Sequence, residues 1–280
     1  MSAVLEAPAG LAVRVRGVSV AYDGAPALRS VDLAVAPGGW VCLLGANGAG
    51  KTTLLRAIGG LVGVAEGEIG LGGASVAALG GRGVARLVAR VPQRPEVPPA
   101  MTVVDYVLLG RTPHIPYLGV EGASDLRVVA EVLERLELTE FAGRRLETLS
   151  GGELQRAIVA VALAQEAPVL LLDEPTAALD VGHQLQVLEL IDELRKERSL
   201  TVVSAMHDLA LAGQFADELV LLSGGSVAAA GSPASVLTEA NIREHYGATV
   251  RIIEDEAGRV LVLPTRRPWE ADRLQEERIR

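Results

Sequence analysis

Lysine is almost missing from this chain: Lys51 and Lys196 are the only two, and arginine carries nearly all the other positive charge. The net charge of -9 argues against a nucleic-acid binder, because phosphate backbones recruit Lys and Arg. No nucleic-acid partner is expected. The single cysteine, Cys42, rules out a disulfide framework within the chain and suits a reducing compartment. It reads as a buried structural thiol. Long apolar runs are missing too. The longest uninterrupted one, Ala157–Ala164, is too short to span a bilayer, so any membrane role must come through a partner. The N-terminus lacks a charged segment followed by a long apolar stretch, and no signal peptide is expected. What the chain has in plenty is apolar side chain. At 49% hydrophobic, its 280 residues suit one large domain, or a core with an inserted subdomain.

One of the two lysines stands among glycines. Gly45-Ala46-Asn47-Gly48-Ala49-Gly50-Lys51-Thr52-Thr53 fits G-x-x-x-x-G-K-[ST], a loop that cradles phosphate. The glycines allow a tight turn with inward N–H groups. Lys51 supplies a point charge for β- and γ-phosphates, and Thr52 offers a hydroxyl to Mg²⁺. The flanks agree: Trp40–Leu44 reads as a buried strand, and Thr52–Ile58 as the start of a helix whose N-terminus faces the anion.

Leu11–Tyr22 and Val31–Val35 alternate loosely and predict antiparallel strands. Gly67–Leu71 predicts a strand, and Val84–Arg90 is ambiguous. Pro92 ends it, and Pro95, Pro98 and Pro99 mark a boundary. The block from there to about Ala164 is helical in pattern, with Leu126, Val129, Val132, Leu133 and Leu136 at helical spacing. Val169–Leu172 predicts a central parallel strand. Leu185–Leu194 predicts an amphipathic helix and Thr201–Ala205 another strand. Leu219–Leu222 with Ser226–Ala230 predicts a hairpin across Gly224 and Gly225. Ser232–Tyr246 reads as two short helices, Val250–Ile253 with Val260–Leu263 as a last hairpin, and Trp269–Arg280 as a frayed helix. No internal repeat is visible.

Two further stretches carry chemistry. Val169–Leu172 runs into Asp173 and Glu174, which a strand end would place at the carboxyl edge of the sheet. There Asp173 suits a Mg²⁺ ligand acting through water, and Glu174 suits a group that orients or deprotonates the attacking water. Ser150-Gly151-Gly152-Glu153 reads as a capping box whose glycines bare a helix N-terminus, a second anion site. A single nucleotide uses both helix starts if two chains meet head to tail.

Taken together, Gly45–Thr52, Leu149-Ser150-Gly151-Gly152-Glu153-Leu154-Gln155-Arg156 and Leu170–Asp180 resemble the ATP-binding cassette (ABC) ATPases. The resemblance spans roughly Leu11 to Ile253. It implies an α/β fold: a P-loop NTPase core with a mixed sheet, an antiparallel β subdomain and an inserted α-helical subdomain. The ATPase domain would occupy 11–253, with the helical insertion at about 96–164 in a RecA-like core, and 254–280 would be a C-terminal extension. Tyr22 matches the family's adenine-stacking aromatic. Gln93 matches the Q-loop, which reaches Mg²⁺ and the transmembrane partner. Asp180 matches the D-loop and His207 the switch histidine near the γ-phosphate. The implied ATP contacts are thus Tyr22, Gly45 to Thr53, Ser150, Gly151, Gly152 and Asp180. Thr52, Gln93 and Asp173 are the implied Mg²⁺ residues, and Glu174, His207 and Gln93 the catalytic ones. Ala177 in the D-loop and Val161 depart from common family usage.

The run Val107-Leu108-Leu109-Gly110-Arg111-Thr112-Pro113-His114 is similar to V-x-L-G-R-x-P-H of ATPases serving iron–siderophore, haem and cobalamin importers, as is His183-Gln184-Leu185. Neither His114 nor His183 has a partner at metal-ligand spacing. The resemblance implies a homodimer sandwiching ATP, held by permease subunits at the cytoplasmic face of the membrane and served indirectly by a substrate-binding protein. The docking segment is expected within Val97–Arg111. Two alternatives stay open on sequence: a cassette ATPase working in assembly or repair, and a plain nucleotide-binding module, against which Glu174 speaks.

Overall fold

The computed structural model describes residues 10–93, 95–176, 179–255 and 259–265. Trp269–Arg280 and the D-loop residues Ala177 and Ala178 lie outside them. The strands are β1 (Val13–Tyr22), β2 (Ala25–Val35), β3 (Trp40–Leu44), β4 (Glu66–Leu71), β5 (Ala74–Ser75), β6 (Val88–Val91), β7 (Val169–Asp173), β8 (Thr201–Ala205), β9 (Glu218–Ser223), β10 (Ser226–Gly231), β11 (Val250–Glu254) and β12 (Val260–Pro264). The helices are α1 (Lys51–Ile58), α2 (Val76–Leu87), α3 (Val103–Leu108), α4 (Ala123–Arg135), α5 (Gly151–Ala164), α6 (Val181–Arg198), α7 (Leu209–Phe215), α8 (Pro233–Val236) and α9 (Glu239–Tyr246).

A six-stranded mixed sheet, in the order β10-β9-β3-β8-β7-β6, is parallel except for its edge strand β10. A four-stranded antiparallel sheet, β2-β1-β4-β5, packs on one of its faces, and β11-β12 form a hairpin. The α/β class with mixed and antiparallel sheets is the one expected. Buried strands send alternate residues to opposite sides. Val41 and Leu43 join the core shared with β1, β2, α1 and α2. Trp40, Cys42 and Leu44 join the core shared with α3–α9. β7 splits the same way, Val169 and Leu171 against Leu170 and Leu172. Burial of both faces is why these strands read as unbroken apolar runs. Val260 and Val262, beyond position 253, sit in the same core as Ala212 and Leu237.

Three details depart from the sequence reading. The ambiguous stretch Val84–Arg90 divides into the end of α2 and the strand β6. α2 itself gave little signal because Gly80, Gly81 and Gly83 interrupt it, and Gly80 kinks it at φ 65. Along α4 and its C-cap, Val129, Val132, Leu133 and Leu136 are buried as expected, but Leu126 is 52% exposed and Val128, at 3%, takes its place in the apolar stripe.

Candidate active site

Parallel pairing of β3, β8, β7 and β6 brings four chain segments, distant in sequence, to one carboxyl edge. β3 delivers the glycine loop, β7 delivers Asp173 and Glu174, β8 leads to His207, and β6 leads to Gln93. A cleft of about 360 Å³ lies there, lined by Ala27, the residues Asn47 to Thr53, Gln93, Glu174 and His207.

The loop conformation requires its glycines. Gly45, Gly48 and Gly50 all take positive φ, at 141, 79 and 107. A Cβ on Gly45 would stand 2.3 Å from the Leu222 carbonyl oxygen. One on Gly50 would stand 2.7 Å from Leu28 Cδ2 and 2.9 Å from the Ala27 carbonyl oxygen. The loop is further pinned by Ala49 N–H donating to Ala46 O at 3.1 Å. α1 starts at Lys51 with no side-chain cap, so its first amides are open to an anion. Lys51 is 6% exposed and donates from Nζ to Gly45 O at 2.6 Å and Ala46 O at 3.3 Å. Burial pushes its ammonium below the ordinary lysine range, against the pull of Glu174 and Asp173.

Thr52 Oγ1 donates to Asp173 Oδ1 at 3.0 Å. Burial pushes the Asp173 carboxyl upward; the Thr52 hydroxyl opposes this and Glu174 adds to it. Glu174 sits at φ 54, unusual for a residue with a side chain, with its N–H donating to Ala205 O at 3.0 Å. That strained position is the kind found at functional sites. Both carboxylate oxygens are engaged: Oε2 accepts from Gln93 Nε2 at 2.5 Å, and Oε1 meets His207 Nε2. Thr52 and Asp173 form an oxygen pair suited to a hard cation. Among the described residues, no three or more His, Cys, Asp or Glu side chains are grouped so as to hold a metal ion between them. That sparseness fits Mg²⁺, which keeps several waters and takes phosphate oxygens alongside one or two protein groups.

Other expected residues stand apart. Tyr22 ends β1, is 42% exposed and does not line the cleft. Ser150 caps α5: its Oγ accepts Glu153 N–H at 3.3 Å, and Ser150 N–H donates to Glu153 Oε2 at 2.7 Å. The cleft of Lys51 has no wall from Ser150, Gly151 or Gly152. Asp180 caps α6, accepting from His183 N–H at 2.9 Å and pairing with His183 Nδ1 at 2.8 Å. The His183 ring lies so close to Gly152 that a Cβ there would be 2.9 Å from Cδ2.

The run from Gly110 to His114 does structural work. A Cβ on Gly110 would come within 2.2 Å of Val161 O, so glycine lets this segment lie on α5. Arg111, its side chain 7% exposed, bonds Asp125 at 2.9 Å, Glu166 at 2.7 Å and Ala164 O at 2.7 Å. His114 Nε2 contacts Gln165 O at 2.8 Å. Sequence reasoning missed Tyr246, whose hydroxyl accepts Gly45 N–H at 2.6 Å across 201 positions. Nothing local in the sequence marks it.

The ABC transporter family pattern matches residues 28–177. The chain is 43% identical over 251 residues to the cobalamin import ATP-binding protein BtuD of Halobacterium salinarum, covering 89% of this chain and 63% of that protein. It is 40% identical over 264 residues to the hemin import ATP-binding protein HmuV of Streptomyces coelicolor, covering 94% and 93%. The dimeric structure of a post-hydrolysis state of the ATP-binding cassette MJ0796, bound to ADP and Pi, superposes with a TM-score of 0.70 at 29% identity, covering 79% of this chain and 98% of that one. With its glycine loop, acid pair and capped Ser150 helix arranged as above, the chain belongs to the ABC transporter family of ATP-binding cassettes.

Proposed function

We propose that this chain is the ATP-hydrolysing subunit of an importer, working as a homodimer beneath separate permease subunits at the cytoplasmic face of the membrane. The observation that carries the reading is the convergence of Lys51, Thr52, Gln93, Glu174 and His207 on one cleft. The Gly45–Thr53 loop holds the phosphates, with Lys51 turning from Gly45 O toward them. Thr52 and Asp173, with Gln93, would hold Mg²⁺, which would supply positive charge against the phosphates. Glu174, kept in place by Gln93 and His207, orients the attacking water and takes its proton. We read 11–253 as the ATPase domain, with its helical insertion at about 96–164.

The cleft is half a site. The Ser150–Gly152 turn, whose first-turn amides lack intrahelical partners, completes it from a second copy, and a C₂ dimer makes that contact twice. Asp180 reaches across with it. Tyr22 comes to the adenine on the open side. The relatives' names and the V-x-L-G-R-x-P-H run support a ferric siderophore, haem or cobalamin as cargo, delivered by a substrate-binding protein. The permease docks near α3, where Leu109 is 46% exposed while Val104 and Leu108 are partly buried against the core. No described helix is long and apolar enough to cross a membrane, in keeping with attachment through a partner.

The test is phosphate release from Mg-ATP by the purified chain beside Lys51→Ala. Hydrolysis that disappears in Lys51→Ala supports the reading, and a wild-type chain that neither binds nor hydrolyses ATP ends it. Leu109→Glu should keep basal hydrolysis and lose copurification with the permease. If deleting the gene changes uptake of none of the three cargoes, the cargo class fails and the ATPase reading stands.

A further inference from the structure

The first amide of the phosphate loop is already taken. β3 ends at Leu44, and Gly45 N–H donates not to a strand but to the Tyr246 hydroxyl at 2.6 Å. Gly45 is buried, so without that hydroxyl its N–H would be an unpaired buried donor. The carbonyl of the same residue accepts from Lys51 Nζ at 2.6 Å. Two side chains therefore hold Gly45, and their fates differ. Lys51 must leave Gly45 O to reach a phosphate, whereas the phenol makes no other hydrogen bond among the described residues. When the lysine turns away, Tyr246 is the side chain still tethering the start of the loop.

The placement of the phenol comes from the C-terminal part of the fold. Tyr246 is the last residue of α9, which Thr238 caps at one end, its Oγ1 accepting Asn241 N–H at 3.1 Å. Gly247 closes the other end at φ 64. Ile242, 2% exposed, anchors the helix in the core. Burial pushes the Tyr246 phenol up to about 12, so it stays neutral across physiological pH.

We propose that Tyr246 is a positioning residue that holds the phosphate loop in its nucleotide-ready form while Lys51 engages ATP, so that the C-terminal unit sets ATP affinity. The inference rests on the loop being the ATP site.

Tyr246→Phe keeps the ring and removes the acceptor. ATP affinity of both chains is read by isothermal titration calorimetry, and KM and kcat by phosphate release. Because Lys51 still holds the Gly45 carbonyl in the free chain but not in the bound one, loss of the Tyr246 tether falls mainly on the bound form and should weaken ATP binding about tenfold. KM should rise in step while kcat changes by less than about twofold. An unchanged affinity, or a loss confined to kcat, overturns the inference. A lower melting temperature with unchanged affinity also overturns it, by reducing the residue to a structural one. Hydrogen exchange of the wild-type chain needs no variant: the Gly45 amide should stay protected when ATP is added, and its release by ATP would contradict the tether. A wild-type chain that fails to bind ATP sinks the ATP-site reading, whereas equal binding by both chains sinks only the role of Tyr246.

Discussion

Glu174→Gln preserves shape and removes one charge, and its effects separate cleanly. In the native chain Glu174 Oε2 accepts from Gln93 at 2.5 Å and Oε1 meets His207. A glutamine offers one acceptor and one amide donor, so it satisfies one neighbour and sets donor against donor at the other unless the imidazole presents its acceptor nitrogen. The structural cost is one hydrogen bond, about 1 kcal/mol, or roughly 2–4 °C in Tm. The backbone bond from Glu174 N–H to Ala205 O is untouched. Asp173, which Glu174 pushes upward, becomes easier to ionise. The chemical cost is larger. A positioned base contributes about 10²–10⁴-fold, equivalent to roughly 2.7–5.5 kcal/mol of barrier. Lys51, Thr52 and the loop amides remain, so ATP binding should persist while phosphate release at saturating ATP falls by at least about 100-fold. An ATP-stabilised dimer should then accumulate in gel filtration. Turnover equal to wild type in a folded Glu174→Gln chain would refute the role of Glu174.

The buried Arg111, just after α3, ties that segment to α4 through Asp125 and to the end of α5 through Ala164 O and Glu166. Arg111→Ala leaves two carboxylates without their cation and should cost about 3–5 kcal/mol, read as a lowered denaturation midpoint; a midpoint within error of wild type would contradict the pairing. Burial raises the Cys42 thiol from 9.0 to about 12. The folded chain then keeps a proton that the unfolded chain releases, so stability is unaffected at neutral pH and falls as pH climbs above about 9. The loss at pH 10 should be on the order of 1 kcal/mol, and Cys42→Ala should flatten it in denaturant titrations at pH 7 and 10.

The phosphate loop was legible because its signal is contiguous: glycines at fixed offsets, a lysine and a threonine between an apolar strand and a helix. Asp173 and Glu174 were legible because a doubly buried strand shows as an unbroken apolar run. Gln93 and His207 came only from family resemblance, since a lone glutamine or histidine after a strand has no intrinsic signal. Tyr246 escaped because its partner lies 201 positions away and only the fold joins them. α2 escaped because its glycines mask helical periodicity. The stripe of α4 was legible at Val129, Val132, Leu133 and Leu136; its first member was misplaced because Leu126 and Val128 are both apolar, and only packing against α3 and α5 decides which turns inward. The motif ending in Arg111 and His114 was recognised as a family mark, while its physical reason, a close crossing over Val161, needed coordinates.

The central claim is that each ATP is held between Lys51 of one chain and Ser150 of another. Lys51→Ala destroys the first surface, and Ser150→Arg blocks the second with bulk and charge. Each variant alone should be inactive in phosphate release. In an equimolar mixture half the dimers are mixed and each holds one intact composite site, so hydrolysis should recover to about a quarter of the wild-type rate per chain. A mixture as inactive as its parts, with mixed dimers present, would contradict the account, as would Ser150→Arg chains that hydrolyse ATP at the full rate alone.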